Sequence, residues 1–262
     1  MLERLYAAKA KCLEEDQRRE PLEALLPRAE RSRGDRRSFR DALAGAHGPA
    51  IIAEIKRASP SKGLIARNFD AAEVAAGYER AGADAVSVLT ESDHFLGDLS
   101  YLAVARQHCT RPLLRKDFLT TAYQVAQSAA YGADAILLIV AGLDDAALVG
   151  LLAEARRYDL DVLVEVHDEV ELARAVAAGA AIIGINNRDL RTFETDLGVT
   201  EELLPAVPPG VIVISESGVH DASASARLHR LGAHGFLIGE ALMQAEDPWA
   251  FVAEIKQGVP AP

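Results

Sequence analysis

Two lysines and two glutamates of the 262-residue chain stand where ordinary core residues should. Glu54 and Lys56 lie two apart in PAIIAEIK, a run that reads as a strand entering a core, so both side chains point to one face. Lys116 falls near the end of PLLRKDF, Glu165 in VLVEV and Asn186 at the end of AIIGIN. Ionised groups are seldom buried unless paired, so polar ends on several apolar runs are costly as structure and useful as a site. The residue types suit acid–base work: a lysine can give a proton, carboxylates can accept and return one, and an amide can orient them. Each such positioned group is worth about 10²–10⁴-fold in rate. A second signal lies in SESGV and LIGEALM, where Gly218 and Gly239 let backbone N–H groups approach an anion closely. A short helix beginning after each glycine, the second opening on Glu240, would aim its N-terminus at one spot. Lys56 and the SPSKG turn add positive charge. The ligand expected from these residues is small and anionic.

The elements that must position these groups announce themselves as a repeat. AAGYERAGADAVSVLTE (75–91), AQSAAYGADAILLIV (126–140), ARAVAAGAAIIGINN (173–187) and SARLHRLGAHGFLIGE (225–240) each run from an Ala-rich helical stretch through Gly-Ala into a short apolar run. Gly82, Gly132, Gly179 and Gly232 are placed to end the helices in the left-handed conformation. Four further runs, at 50–56, 112–118, 162–166 and 211–217, complete eight strands separated by room for one helix each. Strand–helix alternation implies parallel strands with right-handed crossovers, and eight units close an α/β (β/α)₈ TIM barrel. A doubly wound open sheet is the alternative, but no GxGxxG or GxxxxGK[ST] is present. Residues 1–48 precede the repeat and read as an N-terminal helical extension, with Leu2, Leu5, Tyr6 and Leu13 near one helical face; 49–262 form the barrel, and the whole is one domain. Chemistry in such barrels sits at the C-terminal strand ends, and phosphate sites follow strands seven and eight. With Ile55, Val164 and Ile185 turned toward the helices, Glu54, Lys56, Glu165 and Asn186 face inward, and Leu114, Lys116 and Phe118 share a face. The side on which Glu216 falls stays open: it faces in or caps a helix.

Composition sets the outer limits. A net charge of −11 argues against nucleic-acid or anionic-membrane partners. Cys12 and Cys109 are far apart and read as free thiols of a reducing compartment. The charged N-terminal stretch does not resemble a signal peptide, and the longest apolar run, AILLIVAGL, is about half a bilayer span. A soluble cytoplasmic protein, acting as a monomer on a small molecule, is expected. EVHDE offers Glu165, His167 and Asp168 as metal ligands, but no second histidine cluster stands at ligand spacing, so no metal is expected.

Taken together, IIAEIKRASPSKGLI, VSVLTESDHFLG, LLRKDF, VLVEVHDEVEL, IGINNRDL, ISESGV and FLIGEALM resemble indole-3-glycerol phosphate synthase over nearly the whole chain. The resemblance implies a phosphate-binding barrel that needs no cofactor. Its reaction converts 1-(o-carboxyphenylamino)-1-deoxyribulose 5-phosphate to indole-3-glycerol phosphate, carbon dioxide and water, a step of tryptophan biosynthesis. By the same resemblance Lys116 is the general acid of ring closure and Glu165 the acid/base of dehydration. Glu54, Lys56, Asn186 and Ser217 complete the catalytic set. Ser59 and Arg188 contact the anthranilate carboxylate region, Phe95 and Leu137 pack on the aromatic ring, and Gly218, Gly239 and Glu240 hold the phosphate. Ala241 departs from the family pattern, which has Ser or Thr there. A lysine near other cations is expected to have a lowered pKa, and a glutamate between apolar walls a raised one. The rival readings are a Schiff-base aldolase or ketose-phosphate isomerase using Lys116 or Lys56 as an amine nucleophile, and a barrel that binds sugar phosphates without turnover.

Overall fold

A computed structural model describes residues 2–59, 63–64, 69–189 and 192–257, leaving aside the side chains of 2–4, 59, 64 and 257. Eight parallel strands close on themselves: β1 (Ala50–Ile55), β2 (Ala85–Leu89), β3 (Leu113–Lys116), β4 (Ala135–Ile139), β5 (Asp161–Val166), β6 (Ile182–Asn186), β7 (Ile212–Glu216) and β8 (Gly235–Ile238). The barrel runs in sequence order, and β1 pairs with both β2 and β8. The eight expected strands are present; the runs at 50–56, 112–118 and 211–217 are shorter by a residue or more, and the run at 162–166 is longer by Asp161.

Alternation along each strand sorts the core into two shells. Ile52, Leu114, Ala135, Leu137, Leu163, Ile182, Ile214 and Leu237 fill the barrel interior. Ile51, Ile55, Val86, Val88, Leu138, Val164, Ile185 and Phe236 face the surrounding helices. Those helices are α4 (Ala71–Arg80), α5 (Ser100–His108), α6 (Ala122–Ala130), α7 (Asp145–Arg157), α8 (Glu169–Ala177), α9 (Gly198–Leu203), α10 (Ala222–Arg230), α11 (Glu240–Gln244) and α12 (Pro248–Gln257). Asp70, Asp144, Asp168 and Asp221 accept N-terminal amide bonds from α4, α7, α8 and α10, and Thr121 and Gln124 form a capping box on α6. Gly82, Gly132, Gly179 and Gly232 follow four of these helices at φ between 81° and 115°, a region that favours glycine.

The N-terminal extension folds as α1 (Leu2–Arg19), α2 (Leu22–Arg31) and α3 (Phe39–Ala44), and it touches both ends of the barrel. At the N-terminal ends of the strands, Phe39 and Leu43 join the interior cluster. The backbone N–H groups of Arg37 and Arg40 donate there to Asp134 and Asp161, at the starts of β4 and β5. At the other end α1 lies against the mouth: Tyr6 packs edge-on against Phe118, with ring centroids 5.4 Å apart, and Lys9 reaches buried Asp117 at 2.6 Å. No helix among the described residues is long and apolar enough to cross a membrane.

Candidate active site

Each strand brings its last inward residue to one cavity at the C-terminal end of the barrel. Its walls include Glu54, Lys56, Lys116, Glu165, Asn186, Ser217, Phe95, Leu137, Arg188, Gly218, Gly239 and Glu240. Twelve of the thirteen site residues expected from sequence therefore share one opening. The thirteenth, Ser59, has its side chain outside the described part, as has the heart of the SPSKG turn at 60–62.

At the centre stands Lys116. Its Nζ lies 3.2 Å from Glu165 Oε2 and 3.2 Å from Glu216 Oε2. Asn186 Nδ2 donates to Glu165 Oε1 at 3.0 Å, and Ser217 Oγ donates to Asn186 Oδ1 at 2.9 Å. Across the opening Lys56 pairs with Glu54 at 2.6 Å, so the two charges that share a face of β1 compensate each other. Glu54, Glu165 and Glu216 are each only 1% exposed, which gives these contacts weight that surface pairs lack.

Glu216 is the principal member that sequence reasoning left undecided. Ile212 and Ile214 belong to the interior cluster, so counting by twos along β7 carries Glu216 inward as well. Gly184 on β6 makes the space: a Cβ there would meet Glu216 Oε1 at 2.0 Å. Gly239 makes the same kind of room for Glu54, whose Oε1 would lie 2.2 Å from an added Cβ. Gly184→Ala is expected to displace the Glu216 carboxyl from Lys116, costing about 1–3 kcal/mol of stability by overpacking and lowering turnover. Thermal melts and initial rates check both.

The electrostatics reverse two expectations. Burial works against the Lys116 ammonium, but Glu165 and Glu216, with Glu54 behind them, outweigh it and hold the pKa above that of an ordinary lysine. Among the described residues no cation beside Lys116 outweighs them. Glu165, likewise desolvated, is drawn below the usual carboxylate range by Lys116, His167 and Asn186. The glutamate pushed upward, to about 7, is Glu216: it is desolvated, it faces the charge of Glu165, and its Oε1 accepts no hydrogen bond. The raised carboxyl is thus on β7 rather than β5. A raised folded-state pKa stabilises the fold below the ordinary value of 4.5 and loses that contribution as pH rises through about 7. Glu216→Gln should therefore flatten the dependence of stability on pH between those limits, where the native residue contributes on the order of 1 kcal/mol per pH unit. Denaturant titrations at a series of pH values read this directly.

The loops are held by buried polar groups. The Glu91 carboxylate accepts the backbone N–H groups of Asp93, His94 and Phe95, fixing the turn that carries Phe95 over the cavity. Asn187 Nδ2 donates to Ser215 Oγ and to the carbonyls of Glu216 and Ser217, tying the end of β6 to that of β7. Ser217 and Gly218 both take positive φ, 63° and 88°; for a serine this is a strained conformation that the Asn186 and Asn187 bonds maintain. The anion-binding expectation needs amendment here. Gly239 does open the short helix α11, but no helix starts directly after Gly218. The next one, α10, begins at Ala222 and is already capped by the Asp221 carboxylate. The Glu240 side chain pairs with Arg188 at 2.9 Å. In EVHDE, Asp168 caps α8 instead of joining Glu165 and His167.

The model of the indole-3-glycerol phosphate synthase family matches residues 2–255. The chain is 46% identical over 258 residues to indole-3-glycerol phosphate synthase of Albidiferax ferrireducens, covering 97% of both chains. It is 48% identical over 208 residues to that of Campylobacter curvus, covering 79% of this chain and 80% of the relative. Among solved structures, thiamine phosphate pyrophosphorylase from Pyrococcus furiosus superposes with a TM-score of 0.60 at 15% identity, over 84% of this chain and 97% of that one, a likeness of fold alone. A barrel of this order, with its polar strand ends gathered at one mouth and its sequence matched from end to end, belongs to the indole-3-glycerol phosphate synthase family.

Proposed function

We propose that Lys116 and Glu165 carry out the family's ring closure, decarboxylation and dehydration of the carboxyphenylamino deoxyribulose phosphate. The supporting observation is the placement of one charged amine at 3.2 Å from two buried carboxyls inside an opening walled by Phe95 and Leu137. In this reading the aromatic carbon bearing the carboxylate attacks the ketone, and Lys116 gives its proton to the forming alkoxide. Loss of CO₂ returns the bonding pair to the ring and restores aromaticity. Departure of the hydroxyl as water takes a second proton, and C1 of the former sugar releases one. Two protons enter and one leaves, so each turnover draws one proton from solvent, matching the negative charge lost with the carboxylate. Glu165, ionised at rest, takes up the departing proton and returns it. Glu216, which retains its own proton most readily, is a further acid within reach of Lys116. Glu54, Lys56, Asn186 and Ser217 orient the substrate and these groups. Arg188 serves the anthranilate carboxylate, and the Gly218, Gly239 and Glu240 amides serve the phosphate. No metal or organic cofactor enters these steps. The enzyme is read as a cytoplasmic monomer.

A lysine held as an ammonium between carboxylates is poorly suited to act as an amine nucleophile, which favours the acid role over Schiff-base chemistry. The deciding measurement is the appearance of indole fluorescence when the purified protein meets the substrate in the presence of a metal chelator. Covalent trapping of substrate on Lys116 by borohydride would point to the Schiff base instead.

A further inference from the structure

Among the described residues outside the cavity wall, one charged side chain, His167, touches Glu165. His167, just beyond β5, places Nε2 3.3 Å from Glu165 Oε1, and its Nδ1 lies 2.9 Å from Glu171 Oε2. Glu171 also accepts the His167 backbone N–H at 2.9 Å, so one carboxylate fixes both the ring and the chain that carries it. Glu171 lies in the first turn of α8, where its position follows from the Asp168 cap. The imidazole does not line the cavity, and it reaches the chemistry only through Glu165.

We propose that His167, clamped by Glu171, is a positioning residue that keeps Glu165 ionised and leaves the proton shared by the two central carboxyls on Glu216. This rests on the acid–base reading of Glu165 given above. The argument compares what surrounds each carboxyl. Among the described residues Glu165 has two hydrogen-bond donors, Lys116 from β3 and Asn186 from β6, and one further ion-pair neighbour, His167, whose Nε2 at 3.3 Å is buried without a hydrogen bond. Among the described residues Glu216 has Lys116 alone, and one of its oxygens is buried without a hydrogen bond. Lys116 stands at equal distance from both and so does not choose between them. The other charged group facing the pair, Glu54 from β1, bears on Glu216 and makes its ionisation harder. Tyr6 from α1 stays neutral, desolvated and beside Glu165 and Glu171. The asymmetry between the carboxyls therefore comes from Asn186 and His167 on the side of Glu165 and from Glu54 on the side of Glu216, and His167 is the cation that favours Glu165 alone. Burial opposes that charge, but the two carboxylates override it and raise the imidazole pKa to about 10, so it is a cation throughout the working range.

The test follows the Glu165 carboxyl directly. Carbon-13 spectra of glutamate-labelled protein, with the Glu165 resonance assigned by its loss in Glu165→Gln, are compared at pH 6 for the native protein and His167→Gln. The expected result is a carboxylate position in the native protein and a shift toward the acid form in His167→Gln. The acidic limb of kcat/KM should move up by about one pH unit, with KM changed less than twofold. His167→Lys, which keeps a cation there, should restore both. Glu171→Gln leaves the ring in place with one carboxylate fewer, so the Glu165 resonance should titrate as the imidazole loses its proton nearer neutrality. It also serves as the second variant if His167→Gln fails to fold. A Glu165 resonance that stays at the carboxylate position in both His167→Gln and Glu171→Gln would overturn the proposal. A native protein that forms no indole product would defeat the catalytic reading and leave the titration result standing.

Discussion

Lys116→Ala lowers kcat by about 10²–10⁴-fold, the range expected for loss of a positioned general acid, while the product still binds. The separation follows from geometry. The proposed anion site lies at the backbone of Gly218 and Gly239, just after β7 and β8, whereas Lys116 belongs to β3 on another side of the mouth. Among the described residues Lys116 is also the one cation placed between Glu165 and Glu216, and without it only His167, on the side of Glu165, offsets the charge of the two carboxyls. They then hold a proton between them, as like charges in one site do. That keeps the variant folded and makes its residual activity fall as pH rises and the pair is forced to ionise. Stopped-flow and steady-state rates give kcat, and quenching of bound product gives affinity. Loss of product binding equal to the loss of turnover would assign Lys116 to binding and remove it from the chemistry.

Strand parity made most of this site legible before any coordinates. Glu54, Lys56, Glu165 and Asn186 face the mouth because Ile55, Val164 and Ile185 pack outward, and a period of two admits no other arrangement. The same count, started from Ile212, would have placed Glu216. The sequence alone leaves it facing inward or capping a helix, and the ladder, which pairs Glu216 with Leu237, carries the strand far enough to turn it inward. Other features depend on contacts that no local pattern encodes. Lys9 and Asp117 are 108 residues apart, and the pair that braces the segment next to Lys116 exists only once α1 folds across the opening. The direction of a pKa shift is of the same kind. Sequence shows that lysines and glutamates converge, but whether Lys116 meets cations or carboxylates depends on which strand ends lie opposite. Across this mouth they are β5, whose last inward residue is Glu165, and β7, which ends in Glu216. The helix expected after Gly218 failed for a local reason: Asp221 is a better cap than anything nearer the glycine, so the chain runs on three residues before turning.

Glu165→Gln should lower kcat by about 10²–10⁴-fold with little change in KM, since the amide keeps the shape but cannot carry the proton. Its effect on the neighbouring carboxyl distinguishes a catalytic role from a supporting one. With Glu165 neutral, Glu216 becomes the sole carboxylate beside Lys116, and its pKa should fall from about 7 toward the ordinary range. Stability should respond with a definite sign. Glu165, depressed in the folded state, contributes stability above the ordinary carboxylate pKa that is lost as pH falls; Glu165→Gln removes that contribution, so the variant should lose less on acidification than the native protein. The two readouts are independent, one kinetic and one from unfolding at a series of pH values. If turnover survives the substitution while the acid response of stability disappears, Glu165 is a structural counter-ion of Lys116 and the proton traffic of dehydration passes through Glu216.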